Sequence, residues 1–374
     1  MSLSALPSEV APDMTTWISV DSTAPAPEPI AEAAGILENG GVLAFPTETV
    51  YGLGALWGRE DASKKLKELK DRPDDKPFTL LIADAREAIR RCTSPSIAAE
   101  RLMKRFWPGP LTIVLPTAGP GKVETTGFRV PASITARALL EQLSGPLLAP
   151  SANPAGSAPA VNAEEVRSYF EGRIDGILDG GPVALEQAST VIRMKPGGFE
   201  VLREGCLSVE ELEGAARGAT VLFVCTGNTC RSPMAEALFK KRLARKLEVE
   251  IEQLEGLGYR ILSAGTSAFG GSCASEESVD VMKERGCDIE SHQSSPLSLE
   301  ILKEADRIYA LTSSHKLGIA ALAASCELSA EEMERKLRLV AERDISDPIG
   351  LDINGYRNCA DEIDAGLEEI MREF

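Results

Sequence analysis

Hydrophobic runs and amphipathic segments alternate along the second half of the chain. The apolar run Val221–Val224 is typical of a buried parallel strand. Ser232 and Pro233 then open a helical segment, because proline is favoured in the first turn of a helix. The predicted elements are strands 221–225, 260–264 and 307–311 and helices 232–246, 275–286, about 314–325 and about 356–372. This alternation predicts a small doubly wound parallel sheet with its ligand site at the carboxyl ends of the strands.

The first half also alternates strands and helices, but with less regular spacing. The predicted elements are a strand at Trp17–Val20, a loop at Ala24–Pro29, and helices at Ile30–Leu37 and Ala62–Leu69. The first of these helices ends at Asn39-Gly40-Gly41, which is a typical stop signal. We expect a twisted, mixed α/β sheet with a ligand cleft on its concave face.

The chain of 374 residues is long enough for two domains. We expect a disordered N-terminus at residues 1–16, a first domain at 17–207, a linker at 208–219 and a second domain at 220–374. Inside the linker, Ser208 followed by Glu211 predicts the capping box of a short helix.

Composition and charge narrow the functional class. The chain is 43% hydrophobic and 26% charged, as globular proteins are. Its net charge is −17 and both halves are acidic, which disfavours non-specific binding of nucleic acid. Eight cysteines without clustered spacing favour a reducing cytoplasm and no structural metal site. Met1–Pro12 lacks the pattern of a signal peptide, and the longest apolar run, near Leu317–Ala324, is too short for a membrane span.

The loop between strand 221–225 and the next helix reads Cys225-Thr-Gly-Asn-Thr-Cys-Arg231-Ser232. Backbone N–H groups and a helix N-terminus converge on one anion at such a turn. They stabilise a cysteine thiolate, which can attack phosphorus, while Arg231 offers a planar fork to two phosphate oxygens. Ser232 can hydrogen-bond the sulfur as it leaves. A buried cysteine beside an unrelated arginine is the alternative, but the flanking strand and helix favour a phosphatase loop.

A general acid for the leaving group is expected near the C-terminus. Asp347 stands in the segment Asp344–Gly350, where a proline and a glycine brace the backbone. A carboxylate on such a loop can reach over the end of a strand. An ordinary Asp-Pro turn is the alternative.

Residues 220–374 resemble the low-molecular-weight protein tyrosine phosphatase family. The matching segments are the loop Cys225–Ser232, Ser263–Thr266, His292 within Ser291–Pro296, Leu311–Lys316 and Asp347-Pro348. The resemblance implies Cys225 as nucleophile, Arg231 as phosphate binder and Asp347 as acid, without a cofactor. It assigns the rest of the phosphate loop to Thr226, Gly227, Asn228, Thr229, Cys230 and Ser232. It also implies that Asn228, Ser232, Ser263 and His292 form the network that holds the loop.

Two departures from this family bear on the substrate. Thr229 replaces a bulky aliphatic residue, and Ile349 replaces an aromatic residue that would wall a phenyl ring. In both respects the chain resembles the bacterial protein-arginine phosphatases of the family. A hydroxyl at Thr229 can assist attack on a P–N bond, or it can simply narrow the pocket. We therefore expect phosphorylated proteins as substrates, with phosphoarginine favoured and phosphotyrosine as the alternative.

The cysteines leave two further questions open. An arsenate reductase shares the Cys-x5-Arg loop but needs a resolving cysteine pair, and Cys326 has no close partner in the sequence. Cys230 stands on the same loop as Cys225, so a reversible disulfide between them would protect the nucleophile. A small buried filler is the other interpretation of Cys230.

The first half carries its own candidate ligand segments. An apolar strand at 41–45 runs into a polar turn that contains Thr47 and Tyr51, which is typical of a ligand loop. Lys70 and Arg72 precede Pro73 and can point the same way from an extended segment, which suits a polyphosphate. A solvated basic turn is the alternative. This half has no histidine and no Walker-type phosphate loop.

Further segments of the first half form a distinctive set when they are taken together in chain order. They are Phe106–Thr112, Arg129–Pro131, Ala149–Asn153, Ser189–Val191 and Val201–Gly205. Residues from about 17 to 207 resemble the YrdC-like threonylcarbamoyl-AMP synthase family. The resemblance implies synthesis of threonylcarbamoyl adenylate from L-threonine, bicarbonate and ATP with Mg²⁺, for the t6A modification of tRNA. Proteins of tRNA modification are then expected partners.

The same resemblance assigns residues to the two substrates. It places ATP contacts on Lys70, Arg72, Ser151, Asn153, Ser189 and Arg203, and threonine contacts on Thr47 and Tyr51. Leu81 stands where some members of the family have a histidine near the amino acid. Adenylyl transfer runs on positioning and charge neutralisation, so the lack of histidine in this half is compatible with it.

The sequence therefore predicts a bifunctional cytoplasmic enzyme. A competing hypothesis makes the first half a module that binds nucleotide or tRNA without synthesis and recruits substrates to the phosphatase. A third makes the phosphatase half a regulatory or redox-sensing appendage.

Overall fold

The computed structural model describes residues 14–71, 77–93, 95–119, 122–195, 197–325 and 328–374. The chain folds into two compact units that divide between Ala216 and Arg217, called here the N-terminal unit and the C-terminal unit. Thr16, the last residue of the segment expected to be disordered, belongs to a strand, and residues 1–13 of that segment lie outside the described ranges.

The N-terminal unit is built on a mixed sheet flanked by helices. Its strands are β1 (Thr16–Ser19), β2 (Leu43–Pro46), β3 (Tyr51–Leu56), β4 (Leu80–Leu81), β5 (Leu111–Gly119), β6 (Lys122–Arg129), β7 (Leu147–Leu148), β8 (Gly176–Asp179), β9 (Thr190–Lys195) and β10 (Gly198–Arg203). Its helices are α1 (Pro27–Glu38), α2 (Glu60–Leu69), α3 (Ala85–Arg91), α4 (Ile97–Phe106), α5 (Ile134–Gln142), α6 (Ala163–Phe170) and α7 (Val209–Ala216).

Within the described residues the strand order is β1-β8-β2-β3-β7-β4-β6-β5-β9-β10. The sheet contains both parallel pairs, such as β1/β8 and β5/β9, and antiparallel pairs, such as β2/β3 and β5/β6. The mixed α/β sheet predicted for the first half is confirmed.

Both faces of this sheet are covered, as Val42 and the residues of β2 that follow it show. Val42 and Ala44 belong to one buried apolar cluster, whereas Leu43 and Phe45 belong to another that includes helices α1 and α5. Successive side chains of a strand point to opposite faces, so each face has its own core.

Two helix ends show how the sequence sets the local structure. The loop predicted at Ala24–Pro29 is wrong from Pro27 onward, because α1 begins there. The first turn of a helix needs no N–H partner, so it accepts prolines. The capping box before α7 is confirmed: the N–H of Glu211 donates to Ser208 Oγ at 3.2 Å, and the N–H of Ser208 donates to Glu211 Oε2 at 2.9 Å. Leu212 of α7 is buried in the core of the N-terminal unit.

The C-terminal unit is a separate parallel sheet. Its strands are β11 (Ala219–Cys225), β12 (Tyr259–Gly265), β13 (Arg307–Ala310) and β14 (Leu337–Leu339). Its helices are α8 (Arg231–Leu247), α9 (Glu276–Glu284), α10 (Leu299–Glu304), α11 (Ser313–Ala324), α12 (Ala330–Lys336) and α13 (Ile353–Ile370), with 3-10 turns at Ile251–Gln253 and Met371–Glu373. The sequence pattern did not predict α10, α12 or β14, which are too short to show a period.

The order β12-β11-β13-β14 with parallel pairs throughout confirms the doubly wound sheet. Strand β11 lies between β12 and β13 and is buried along its whole length. Its last residue, Cys225, pairs with Gly265 at the carboxyl edge of the sheet. A Cβ on Gly265 would lie 2.5 Å from the carbonyl oxygen of Thr226, so only glycine lets the loop after β11 pack against β12. Within the described ranges, no helix has the length and apolar character needed to cross a bilayer.

Candidate active sites

The loop between β11 and α8 wraps around the Cys225 thiol. Cys225 is 3% exposed, and its sulfur lies 3.0 Å from Ser232 Oγ. The backbone N–H of Asn228 also donates to this sulfur, at 3.2 Å. Two hydrogen-bond donors and the start of α8 therefore surround the atom that would carry a negative charge as a thiolate.

Asn228 organises the interior of the loop. Its backbone has φ of 56°, in the left-handed region that asparagine tolerates better than most residues. Its side-chain amide donates to Ser232 Oγ and to Ser263 Oγ, both at 2.9 Å. Its carbonyl oxygen lies 2.8 Å from His292 Nε2, and its Oδ1 accepts the N–H of Ser295 at 2.7 Å. The structure thus brings the four residues assigned to the supporting network together, and it adds Ser295.

Arg231 and Asp347 meet at the mouth of the loop. The buried Arg231 guanidinium forms an ion pair with the Asp347 carboxylate and donates to the carbonyl oxygen of Ile345 at 3.3 Å. The Asp347 side chain is 45% exposed, so it reaches the loop from the protein surface. Asp344 anchors the same segment, because its Oδ1 accepts the N–H of Ser313 at 2.6 Å and its hydroxyl at 2.8 Å. These two bonds lower the pKa of Asp344.

A histidine that the sequence reasoning did not assign stands beside this site. His315 lies in the first turn of α11, with Nε2 2.8 Å from Thr226 Oγ1 and Nδ1 2.8 Å from Thr312 Oγ1. Burial, followed by the nearby Arg231, lowers the pKa of His315, so the imidazole is neutral at neutral pH. The segment Leu311–Lys316 drew attention in the sequence, but nothing local places its histidine against Thr226.

Thr229 and Cys230 occupy the far side of the loop. The carbonyl oxygen of Thr229 accepts the N–H of Ser275 at 2.9 Å. Cys230 is a free thiol whose sulfur lies 3.4 Å from Ser275 Oγ and 3.8 Å from the Tyr356 hydroxyl. Cys230 thus lies buried between Ser275, which caps α9, and Tyr356 of α13. Ile349, which follows the Asp-Pro pair, is 69% exposed.

The N-terminal unit holds a cavity of about 740 Å³. The residues assigned to ATP and threonine that line it are Thr47, Tyr51, Lys70, Ser151, Asn153, Ser189 and Arg203. Leu81 also lies in its wall. Arg72 lies outside the described residues. Segments that are far apart in the sequence thus converge on one cleft.

Lys70 ends helix α2 and spans the cleft to the segment at 151–153. Its ammonium donates to the carbonyl oxygen of Ser151 at 2.9 Å and to Asn153 Oδ1 at 3.2 Å, and it also bonds the carbonyl oxygen of Asn153. The Ser151 hydroxyl donates to Asn153 Oδ1 at 2.6 Å. The predicted lysine, serine and asparagine therefore form one connected group.

Arg203 and Ser189 form a second group on another wall. The Arg203 guanidinium donates to Ser189 Oγ at 2.9 Å and to the Ser189 carbonyl oxygen at 2.8 Å. Ser189 Oγ lies 3.1 Å from Thr112 Oγ1. Burial and the nearby positive charge of Arg129 lower the pKa of Arg203. Thr112 has no assignment from the sequence, although it ends the segment Phe106–Thr112.

The residues assigned to threonine lie at the turn between β2 and β3. Thr47 Oγ1 donates to the carbonyl oxygen of Val50 at 2.6 Å and lies 2.9 Å from Thr49 Oγ1. The Tyr51 hydroxyl donates to the carbonyl oxygen of Gly181 at 2.7 Å, and burial raises the pKa of Tyr51. Because that hydroxyl already has a partner, Tyr51 offers a ligand mainly the ring that lines the cavity.

A buried ion pair braces the same turn. Arg129 donates to Glu48 Oε1 at 2.7 Å and to Thr49 Oγ1 at 2.9 Å. Glu48 Oε2 accepts the N–H groups of Ala132 at 3.0 Å and Ser133 at 3.3 Å. With these extra hydrogen bonds the pair meets the condition under which burying two charges is tolerated. Arg129 lies in the segment Arg129–Pro131 that supports the family resemblance, but the resemblance assigns it no role.

The charge of the cleft is opposite to that of the protein. Its described lining contains the cations Lys70, Arg129, Arg193 and Arg203 and a single carboxylate, Asp71, in a chain with a net charge of −17. Of these cations, Arg129 is paired with Glu48 and Arg193 with Glu200. Such a local excess of positive charge suits a polyphosphate. Across the described ranges, no group of three or more His, Cys, Asp and Glu side chains is arranged to hold a metal ion.

These observations describe a two-unit α/β protein with two candidate sites for phosphoryl compounds. One is a cation-lined cleft on a mixed sheet, and the other is a Cys-x5-Arg loop at the carboxyl edge of a parallel sheet.

Family models match both parts of the chain. A Sua5/YciO/YrdC model, described as "Telomere recombination", matches residues 35–205. A model described as "Low molecular weight phosphotyrosine protein phosphatase" matches residues 220–374.

Relatives support the same assignment. The chain is 43% identical over 195 residues to the threonylcarbamoyl-AMP synthase of Bacillus subtilis. This match covers 49% of this chain and 55% of that protein. It is 34% identical over 259 residues to the threonylcarbamoyl-AMP synthase of Pyrococcus abyssi, covering 63% of this chain and 76% of that one. The crystal structure of P. abyssi Sua5 complexed with L-threonine matches with a TM-score of 0.51 and 26% identity over 94% of this chain and 98% of that chain. The chain belongs to the Sua5/YrdC threonylcarbamoyl-AMP synthase family and carries a low-molecular-weight phosphatase domain at its C-terminus.

Proposed function

We propose that this chain is a bifunctional cytoplasmic enzyme. Residues 17–207 synthesise threonylcarbamoyl adenylate, and residues 220–374 dephosphorylate proteins on arginine. Residues 208–219 connect the two domains, although α7 within them packs on the N-terminal unit. The product of the first domain serves the t6A modification of tRNA, together with other proteins of that modification. The convergence of distant ATP- and threonine-assigned residues on one cation-lined cleft carries the first half of this proposal.

In the synthase reaction, ATP, L-threonine and bicarbonate give threonylcarbamoyl-AMP, pyrophosphate and water. The amine of threonine takes up bicarbonate as a carbamate, whose oxygen then attacks the α-phosphorus of ATP. Lys70 and Arg203 neutralise charge on the phosphate chain, and the Mg²⁺ that accompanies ATP is part of that substrate. The turn at Thr47 and the ring of Tyr51 hold the amino acid, as the P. abyssi relative is solved with L-threonine. No histidine is required, because positioning and charge neutralisation supply most of the acceleration.

Pyrophosphate release from ATP tests the synthase assignment. We expect release only when L-threonine and bicarbonate are both present, and a sharp fall when serine replaces threonine. Release that ignores either co-substrate would contradict synthesis and favour the hypothesis of a nucleotide- or tRNA-binding module. Omission of each substrate in turn from one reaction mixture is the matched control.

In the phosphatase reaction, the Cys225 thiolate attacks phosphorus while Asp347 gives its proton to the leaving group. Water then attacks the phosphocysteine with Asp347 as base, and phosphate is released. Arg231 must exchange Asp347 for the phosphoryl oxygens when substrate binds, since it is paired with that carboxylate here. The hydrogen bonds from Ser232 and Asn228 to the sulfur stabilise it as a leaving group in the second step.

The loop and its rim favour phosphoarginine over phosphotyrosine. Thr229 adds a hydroxyl where tyrosine phosphatases of the family have a bulky aliphatic side chain. Ile349 is highly exposed and offers no aromatic wall for a phenyl ring. A polar, open pocket suits a planar, charged guanidinium better than a flat apolar ring.

Substituting Thr229 tests this preference. We expect the wild type to hydrolyse a phosphoarginine peptide faster than a matched phosphotyrosine peptide, and Thr229→Ile to reverse the order through a change of about 10-fold or more in relative kcat/KM. Thr229→Ser keeps the hydroxyl and is expected to retain the wild-type order. Equal or better phosphotyrosine turnover in the wild type, unmoved by Thr229→Ile, would instead indicate a tyrosine phosphatase.

A further inference from the structure

Thr226 differs from the other residues of the phosphate loop in its exposure. Every other residue of Cys225–Ser232 is buried or half-buried, whereas Thr226 is exposed at the mouth of the loop. It follows the nucleophile directly in the chain. Its hydroxyl nevertheless has a fixed partner, because Thr226 Oγ1 lies 2.8 Å from His315 Nε2.

The partner imidazole is itself held in place. His315 is 5% exposed, and Nδ1 lies 2.8 Å from Thr312 Oγ1, which is 2.8 Å from Ser314 Oγ. The charged groups that face the ring are Arg231, which opposes a positive charge, and Asp347 and Asp344, which favour one. Burial and Arg231 dominate, so the ring is neutral and has one N–H donor and one acceptor nitrogen.

A neutral imidazole can accept a hydrogen bond from the Thr226 hydroxyl. When Nδ1–H donates to Thr312 Oγ1, Nε2 accepts a hydrogen bond from Thr226, and the oxygen of this exposed residue keeps lone pairs that can accept another hydrogen bond. The Thr312 hydroxyl can donate a hydrogen bond to Ser314 Oγ, so each group in this chain of contacts has a partner. The loop would thus carry a hydrogen-bond acceptor next to its nucleophile.

We propose that Thr226 and His315 together favour phosphoarginine as substrate. The Thr226 hydroxyl accepts a hydrogen bond from an N–H of the leaving group, while it donates its own hydrogen bond to His315 Nε2. We call these two residues the specificity pair. The inference rests on the proposed phosphatase activity toward phosphoarginine and assigns part of its selectivity. Thr226 would touch the substrate, and His315 is a positioning residue that acts through Thr226.

The chemistry of the two candidate substrates explains why such an acceptor discriminates between them. The phosphoryl oxygens accept hydrogen bonds, and Arg231 and the N–H groups of the loop provide donors for them. The leaving group of phosphoarginine adds N–H donors beside phosphorus, and these need an acceptor. An aryl phosphate has no N–H at that position, so it forms no such hydrogen bond with the acceptor.

The test compares two substrates across a double-substitution cycle. Wild type, Thr226→Val, His315→Phe and the double variant are assayed as full chains with a phosphoarginine peptide and a chromogenic aryl phosphate. Thr226→Val replaces the hydroxyl with a methyl group of similar size, at an exposed position. We expect each variant to lower the ratio of kcat/KM for phosphoarginine to kcat/KM for the aryl phosphate by about 10-fold, as expected for one lost hydrogen bond to a charged group. The double variant is expected to lose no more than either single variant, because one interaction is removed in all three.

Each other outcome has a distinct meaning. Equal losses on both substrates, or additive losses in the double variant, would overturn the pair, because a general effect on the loop explains them. Wild-type preference for phosphoarginine that survives Thr226→Val intact would overturn the pair and leave the proposed function standing. Failure of the wild type to hydrolyse phosphoarginine would overturn the proposed function as well. Should His315→Phe not fold, Thr226→Val alone decides through its substrate ratio.

Discussion

Replacing Cys225 with serine is expected to abolish phosphatase turnover, with a fall of about 10⁴-fold or more. The loop presents two donors and a helix N-terminus to the atom at this position, an arrangement that supports a thiolate. A serine hydroxyl is far less acidic than a thiol, so it stays protonated in the same surroundings and is a poor nucleophile. Turnover of phosphoarginine and phosphotyrosine peptides, followed as phosphate release, measures the effect.

The control for this substitution is Cys273→Ser, which changes an exposed cysteine of the same unit. It should leave turnover unchanged. Both variants should unfold at the wild-type temperature, since serine is close to cysteine in size. Substantial turnover in Cys225→Ser would contradict the assignment of the nucleophile and favour the hypothesis of a regulatory appendage.

Replacing Lys70 with methionine is expected to lower pyrophosphate release by about 10²- to 10³-fold, the usual cost of removing one preorganised donor from a site of developing charge. Lys70 lies in the cleft wall and holds three oxygen atoms of Ser151 and Asn153 together. Methionine keeps the length of the side chain but provides neither charge nor donors. KM for ATP should therefore rise and kcat should fall. Initial rates over a range of ATP concentrations measure both.

Lys64→Met is the matched control, because Lys64 is an exposed residue of the same helix and does not line the cavity. It should leave pyrophosphate release within about 2-fold of the wild type, as surface substitutions usually do. Wild-type kinetics in Lys70→Met would contradict the placement of the phosphate chain in this cleft.

The parts of the structure that were predictable from sequence depend on local order. The loop at Cys225–Ser232 could be found because a strand, a glycine-containing turn and a helix follow one another directly. Alternation of apolar runs and helical spacing was enough for both sheets. The ends of elements were predicted less accurately, since α1 starts at Pro27 inside an expected loop. Two short elements, α12 and β14, were not predicted because they are too short to show a period.

The parts that were not predictable depend on tertiary placement. His315 meets Thr226 across 89 positions of sequence, and Arg129 meets Glu48 across 81. Neither pair has a spacing or composition that marks it in the chain. Each becomes visible only when the parallel strands or the mixed sheet bring their ends together. Ser295 illustrates the same limit, since it supports Asn228 through its backbone N–H rather than through its side chain.

One chain is proposed to carry two independent catalytic centres. Measuring both activities side by side on one set of variants tests this most directly. Wild type should release pyrophosphate in a threonine- and bicarbonate-dependent manner and also hydrolyse phosphoarginine. Cys225→Ser should lose only the second activity, and Lys70→Met only the first. Loss of both activities through either single substitution, in a protein that still folds, would contradict two separate centres. A wild type that lacks pyrophosphate release altogether would contradict the synthase half of the account.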